Sequence, residues 1–90
     1  MDIKKVVVIG SGTMGSGIAA QVANAGIQVT MLDLPKNEGF RNEITENAKE
    51  RILKSRPPLL FESSKIQSLK TGNIYDNFDD VSDADWIIEA

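Results

Sequence analysis

Ninety residues make one small domain at most, because a fold of this size buries only ~60% of the surface its unfolded chain exposes. Hydrophobic residues at 41%, charged residues at 26% and a net charge of -3 describe an ordinary soluble globular chain, and argue against a nucleic-acid or acidic-membrane partner. With no cysteine and no histidine the chain offers no disulfide framework, no thiolate metal site and not the commonest general base; no apolar run approaches the ~18 residues of a membrane span, and the expected location is the cytoplasm.

In chain order, the run "IKKVVVIG" carries four consecutive β-branched residues, Val6 to Ile9, bounded by a glycine. A short continuous apolar run of this kind suits a strand covered on both faces. From Thr13 to Ala25 the apolar residues Met14, Ile18 and Val22 recur every four positions beside Ala19, Ala20 and Ala23, and Gly26 stands where a C-terminal cap belongs, so this is a helix. "IQVTMLD", Ile27 to Asp33, reads as a second strand that Pro35 ends.

A second helix is expected from about Asn37 to Ser55, with Phe40, Ile44, Ala48 and Ile52 as its apolar stripe and Glu46/Lys49 and Glu50/Lys54 pairing on the wet side. Pro57 and Pro58 stop it. Glu62 to Leu69 reads as a short helical piece with Ile66 and Leu69 inward, Thr71 and Gly72 as a turn, and Asn73 to Tyr75 as the third strand. Asp79 caps one helical turn reaching Asp83, with Phe78 and Val81 tucked beneath it, and "ADWIIEA" supplies a buried fourth strand from Trp86 to Glu89. The sequence stops at Ala90 without a turn or polar tail, and residues 1–90 are therefore expected to be the N-terminal portion of a longer dinucleotide-binding domain.

Strands alternating with crossover segments specify an α/β fold with a parallel sheet, and a mononucleotide-binding half of a doubly wound, Rossmann-type fold gives the strand order 3-2-1-4. The four glycines between Gly10 and Gly17 fit that fold. Gly10-Ser11-Gly12-Thr13-Met14-Gly15 spells GxGxxG: Gly10 allows the sharp turn off the strand, Gly12 keeps a Cβ away from a pyrophosphate, and Gly15 lets helix and strand approach. The positive end of the helix then faces the anion. Asp33, 18 residues after Gly15, ends the second strand, where a carboxylate can accept from an adenosine ribose; it could instead cap the turn before Pro35. Gly17 costs roughly 1 kcal/mol against Ala within a helix, and close contact with the first strand is the expected compensation. Trp86 suits a core or interface position, Asp85 and Glu89 suit a strand end, and Lys49, Arg51, Lys54 and Arg56 suit a solvated helix face or an anionic substrate.

"VVVIGSGTMGSGIAAQVANAGIQVTMLD" and "DADWIIEA" together resemble the NAD-dependent 3-hydroxyacyl-CoA dehydrogenases, and the segment "RNEITENAKERILKSRPPLLF" is similar to a long, bacterial-type subgroup that also carries an enoyl-CoA hydratase domain. The resemblance implies an enzyme oxidising the 3-hydroxyl of an acyl-CoA in fatty-acid β-oxidation, with NAD as cofactor. It implies Gly10, Ser11, Gly12, Thr13, Met14 and Gly15 at the pyrophosphate, Asp33 and the adjoining Leu34 at the ribose, Ala90 near the cofactor, and Lys54 as a contact to the acyl-CoA. The family's catalytic His-Glu pair has no counterpart among these residues, so no catalytic residue is expected in the 90. An S-adenosylmethionine methyltransferase and a non-enzymatic nucleotide-sensing or oligomerisation module are the alternatives. Separately, the open edge of the fourth strand is expected to invite self-association of the 90 residues.

Overall fold

A computed structural model describes residues 2–35 and 40–90. Four parallel strands, β1 (Lys5–Ile9), β2 (Gln28–Asp33), β3 (Leu69–Asn73) and β4 (Trp86–Glu89), form one sheet in the order β3-β2-β1-β4. This is the expected order. In register, Val8 of β1 lies between Met31 of β2 and Ile88 of β4.

The pleat sends Val6 and Val8 to one face with Val29 and Met31, and on that face α1 (Thr13–Asn24) and α2 (Glu43–Lys54) close the core. The buried stripe of α1 is not the expected one. Ala19, Ala20 and Ala23 are fully covered, while Met14 is 72% exposed and Ile18 and Val22 sit half-buried at the flank. Small side chains let the helix axis approach the valines of β1 and β2, and larger ones on that stripe would hold it off. Gly17 departs from its expectation too: a Cβ there would meet no neighbouring atom within 4 Å, so no close contact compensates for this glycine. The helix ends as expected, with the Gly26 N–H donating to the Ala23 carbonyl at 2.9 Å and the Ile27 N–H to Val22 at 3.3 Å, the paired bonds of a Schellman cap.

The start expected for α2 near Asn37 lies outside the described residues. Within the helix Ala48 and Ile52 are buried as expected, joined by Thr45, whereas Phe40 precedes the helix and is 59% exposed. Glu50 and Lys54 pair at 3.4 Å, but Glu46 accepts from the Thr71 hydroxyl of β3. Glu43 and Glu46 in the first turn and Arg51 and Lys54 in the last complement the helix dipole. A 3-10 segment, Ser63–Ser68, follows the prolines.

β3 comes earlier than expected. Thr71 and Gly72 are strand residues, and Asn73 ends the strand instead of starting it. "LKTGN" has no β-branched run, and hydrogen bonding to β2 makes it a strand in spite of its propensity. Gly72 belongs there because a Cβ would fall on the side-chain amide of Asn77, a close approach of the kind a glycine within a strand marks. α3 (Phe78–Asp83) is capped by position at Asn77, not Asp79, and the Asn77 Oδ1 accepts from the Asn73 N–H at 3.0 Å. Phe78 is exposed at 59%, not tucked under the turn, and β4 is not buried either, since Trp86 and Ile87 are exposed at 54% and 45%. Among the described residues β4 pairs with β1, and no strand pairs with its other edge.

Candidate functional site

In a parallel sheet of this kind ligands bind at the carboxyl ends of the strands, and here the β1–α1 loop stands at that end. Gly10 turns the chain with φ +111°, a conformation costly for any residue with a side chain. Its N–H donates to the Leu32 carbonyl at 2.7 Å, and the Ala90 carbonyl lies 2.5 Å from where a Gly10 Cβ would stand. Gly15, on the first turn of α1, packs so closely that a Cβ would fall on the Gly10 carbonyl. Gly12 differs: a Cβ there would meet nothing within 4 Å. The first and third glycines are required by the protein itself, and the second leaves open space in front of the loop.

Gly12 is the N-cap of α1 and no side chain caps the helix; its first turn contains no acidic residue. Gly12, Thr13 and Met14 are exposed. The first amide groups of a helix have no intrahelical acceptor, so this turn presents donors and the positive end of the dipole to an anion.

Asp33 is brought to the same loop. Its Oδ2 accepts from the Ser11 N–H at 2.9 Å and the Ser11 hydroxyl at 2.6 Å, and its Oδ1 accepts from the Leu34 N–H at 2.7 Å. Burial pushes the Asp33 pKa up, but the Ser11 hydroxyl, the Leu34 N–H and the Ser11 N–H together outweigh it and hold the carboxyl below its ordinary value. Ser11 is itself buried, turning its side chain inward to Asp33 instead of outward. Leu34 is 57% exposed beside the carboxylate. Ala90 joins the loop too, its N–H donating to the Ile9 carbonyl at 2.9 Å. Lys54 is not brought to the loop. It is exposed and its contact is the pair with Glu50.

Sequence reasoning overlooked two contributors. Ser16, buried on α1, donates from its hydroxyl to the Ser11 carbonyl at 2.9 Å. Arg51, read above as part of a solvated face, reaches across from α2 and donates from Nη2 to the same carbonyl at 2.9 Å. Its place three residues before Lys54 on a polar face gave no signal that it differs from its neighbours.

Residues 5–90 match the family described as the 3-hydroxyacyl-CoA dehydrogenase, NAD binding domain. The chain belongs to this family. Among its relatives, a probable 3-hydroxyacyl-CoA dehydrogenase of Deinococcus radiodurans is 42% identical over 91 residues, covering 100% of this chain and 26% of the relative. A putative fatty acid oxidation complex trifunctional enzyme of Rickettsia felis is 43% identical over 90 residues, covering 99% of this chain and 12% of its own. The crystal structure of Mycobacterium tuberculosis FadB2 superposes with a TM-score of 0.76 at 30% identity, over 100% of this chain and 31% of that one. The 3-hydroxybutyryl-CoA dehydrogenase of Escherichia coli gives 0.75 at 30% identity, over 99% and 19%. The chain thus spans about a quarter or less of the curated relatives just named. The NAD-binding assignment displaces the methyltransferase alternative.

Proposed function

We propose that this chain is the adenosine-binding part of an enzyme that oxidises a 3-hydroxyacyl-CoA to the 3-oxoacyl-CoA in fatty-acid oxidation, and that residues 1–90 form the N-terminal portion of its dinucleotide-binding domain. The observation that carries the reading is the joining of the glycine loop to Asp33 through Ser11. NAD, when bound, accepts the hydride from the substrate carbon. The residues of this chain bind and orient: the amides of Gly12, Thr13 and Met14 hold the pyrophosphate, and Asp33 holds the adenosine ribose. A carboxylate has about four lone-pair sites. Three are engaged by Ser11 and Leu34, leaving room on Oδ1 for a ribose hydroxyl.

The hydroxyl proton needs a base tuned near working pH, and with no histidine in the chain that base comes from elsewhere in the enzyme. Lys54, exposed at the end of α2, is available for a phosphate of the acyl-CoA. For the 90 residues by themselves, the free β4 edge with Trp86 and Ile87 exposed supports self-association.

Replacing Asp33 by Ala tests the reading. The carboxylate would repel a 2'-phosphate as well as bind the ribose, so D33A removes an attraction for NAD and a repulsion for NADP together. Each contribution is about 1–3 kcal/mol for a charged hydrogen bond. Loosening of Ser11 weakens both cofactors alike and cancels in the ratio. The NAD/NADP ratio of binding constants should fall by about tenfold or more. An unchanged ratio would mean that the ribose is read elsewhere.

A further inference from the structure

We propose that Arg51 is a positioning residue for the cofactor loop: from α2 it clamps the Ser11 carbonyl and so sets the direction of the amides that follow. The proposal rests on the cofactor reading above and extends it to a residue outside the glycine motif. Two donors converge on one oxygen, the Ser16 hydroxyl and the Arg51 Nη2, each at 2.9 Å. In a trans peptide the carbonyl and the following N–H point to opposite sides of the chain. Drawing the Ser11 carbonyl towards Ser16 and α2 therefore turns the Gly12 N–H the other way. Gly12 is also the N-cap, so the orientation of this peptide fixes how Thr13 and Met14 start the helix.

The other face of Ser11 is held as firmly, its N–H and hydroxyl donating to Asp33. Ser11 thus lies between an anchor from β2 and an anchor from α2, and only the second is a cation. Gly12 contributes no side chain and, with nothing within 4 Å of a Cβ position, no packing that would hold the loop. Without Arg51 the Ser11 carbonyl keeps the single bond from Ser16, and the exposed turn gains freedom that binding must remove. A lysine can still place one donor at the carbonyl, whereas a methionine cannot.

The test is titration of NADH into wild-type protein, Arg51→Met and Arg51→Lys, with thermal midpoints and amide NMR spectra of each before cofactor is added. The expected result is displaced amide signals for Gly12, Thr13 and Met14 in R51M, about tenfold weaker NADH binding, an unchanged midpoint, and recovery of most of the affinity in R51K. Wild-type binding with R51M unaltered in affinity and in those three signals overturns the clamp and leaves the cofactor reading intact. Equal losses in R51M and R51K with lowered midpoints make Arg51 a fold contact and overturn it likewise. Absence of NADH binding to the wild type overturns the cofactor reading, and the clamp as a cofactor device with it.

Discussion

Between α1 and the strands β1 and β2 the contact is apolar and close: valines and a methionine from the sheet meet a stripe of alanines, and the loop above is shaped by glycines pressed against backbone. At the far edge of the sheet β3 is fastened differently. Asn73 is buried at 1% exposure, and its Nδ2 donates to Asn42 Oδ1 and Asp76 Oδ2, both at 2.8 Å. Its Oδ1 accepts from the Tyr75 and Asp76 N–H groups at 3.1 and 2.9 Å. Thr45 of α2 adds a hydroxyl bond to the Gly72 carbonyl, and Arg41 pairs with Asp76. Ala48, Ile52 and Leu69 share the apolar core, but the carboxyl end of β3 is set by hydrogen-bond valence, so the two regions should fail under different kinds of substitution.

The largest effect is expected where volume rules. Gly15→Ala places a methyl group on the Gly10 carbonyl, an overlap that only backbone movement relieves, and such overpacking costs about 1–3 kcal/mol or more. Denaturant unfolding should show that loss, and NADH titration should show the binding loop damaged. A G15A protein with unaltered stability and affinity would remove the close approach as the reason for this glycine.

On the hydrogen-bonded side, Asn73→Ala strips the Tyr75 and Asp76 N–H groups of their acceptor and the Asn42 and Asp76 side chains of the Asn73 donor, Asp76 keeping Arg41, a loss of about 2 kcal/mol. The same denaturant measurement checks it. If N73A unfolded at the wild-type midpoint, β3 would owe its place to the sheet ladder alone.

Acid probes both sides at once. The Asp33 pKa is lowered, the upward push of burial being outweighed by Ser11 and Leu34; that of Asp76 is lowered by the Arg41 hydrogen bond, and that of Asp85 by the N–H groups of Lys4 and Lys5. Each carboxyl binds a proton less readily folded than unfolded. Their contribution is therefore complete above the ordinary aspartate value of about 4 and is lost as pH falls below it. Unfolding midpoints measured from pH 6 downward should hold and then drop. A midpoint that rose in acid would contradict the sign.

The smallest effect has the opposite direction. Gly17 is helical with open space where a Cβ would stand, so Gly17→Ala should stabilise the protein by about 0.5–1 kcal/mol. A destabilised G17A would reveal a neighbour that this geometry lacks.

The same division explains what could be read in the sequence. Val6 to Ile9, the glycine spacing and Asp33 announce their structure because apolar runs and backbone-limited turns have few solutions, and the sheet order followed from them. β3 was placed several residues late because its "TG" has the composition of a turn, and the Asn77 side chain that makes Gly72 fit is five residues further on. Nor could helical periodicity announce that Asn24 is buried, holding the Leu59 carbonyl and the Phe61 N–H, both at 2.9 Å. Arg51 was hidden for a related reason. A single hydrogen bond to a carbonyl 40 residues away leaves no periodic trace.

The Asp85 carboxylate receives the N–H groups of Lys4 and Lys5 at 2.8 and 3.0 Å, tying the head of β4 to the head of β1 across 81 and 80 residues of chain. With β1, β2 and β3 in place, the chain that closes to seat β4 runs only from Asn73 to Trp86, through α3. Directly after β4, the Ala90 carbonyl stands over Gly10. A fluctuation that lifts β4 uncovers the turn below Ala90, so the Asp85 carboxylate, together with the β1–β4 ladder, steadies the glycine loop without touching it.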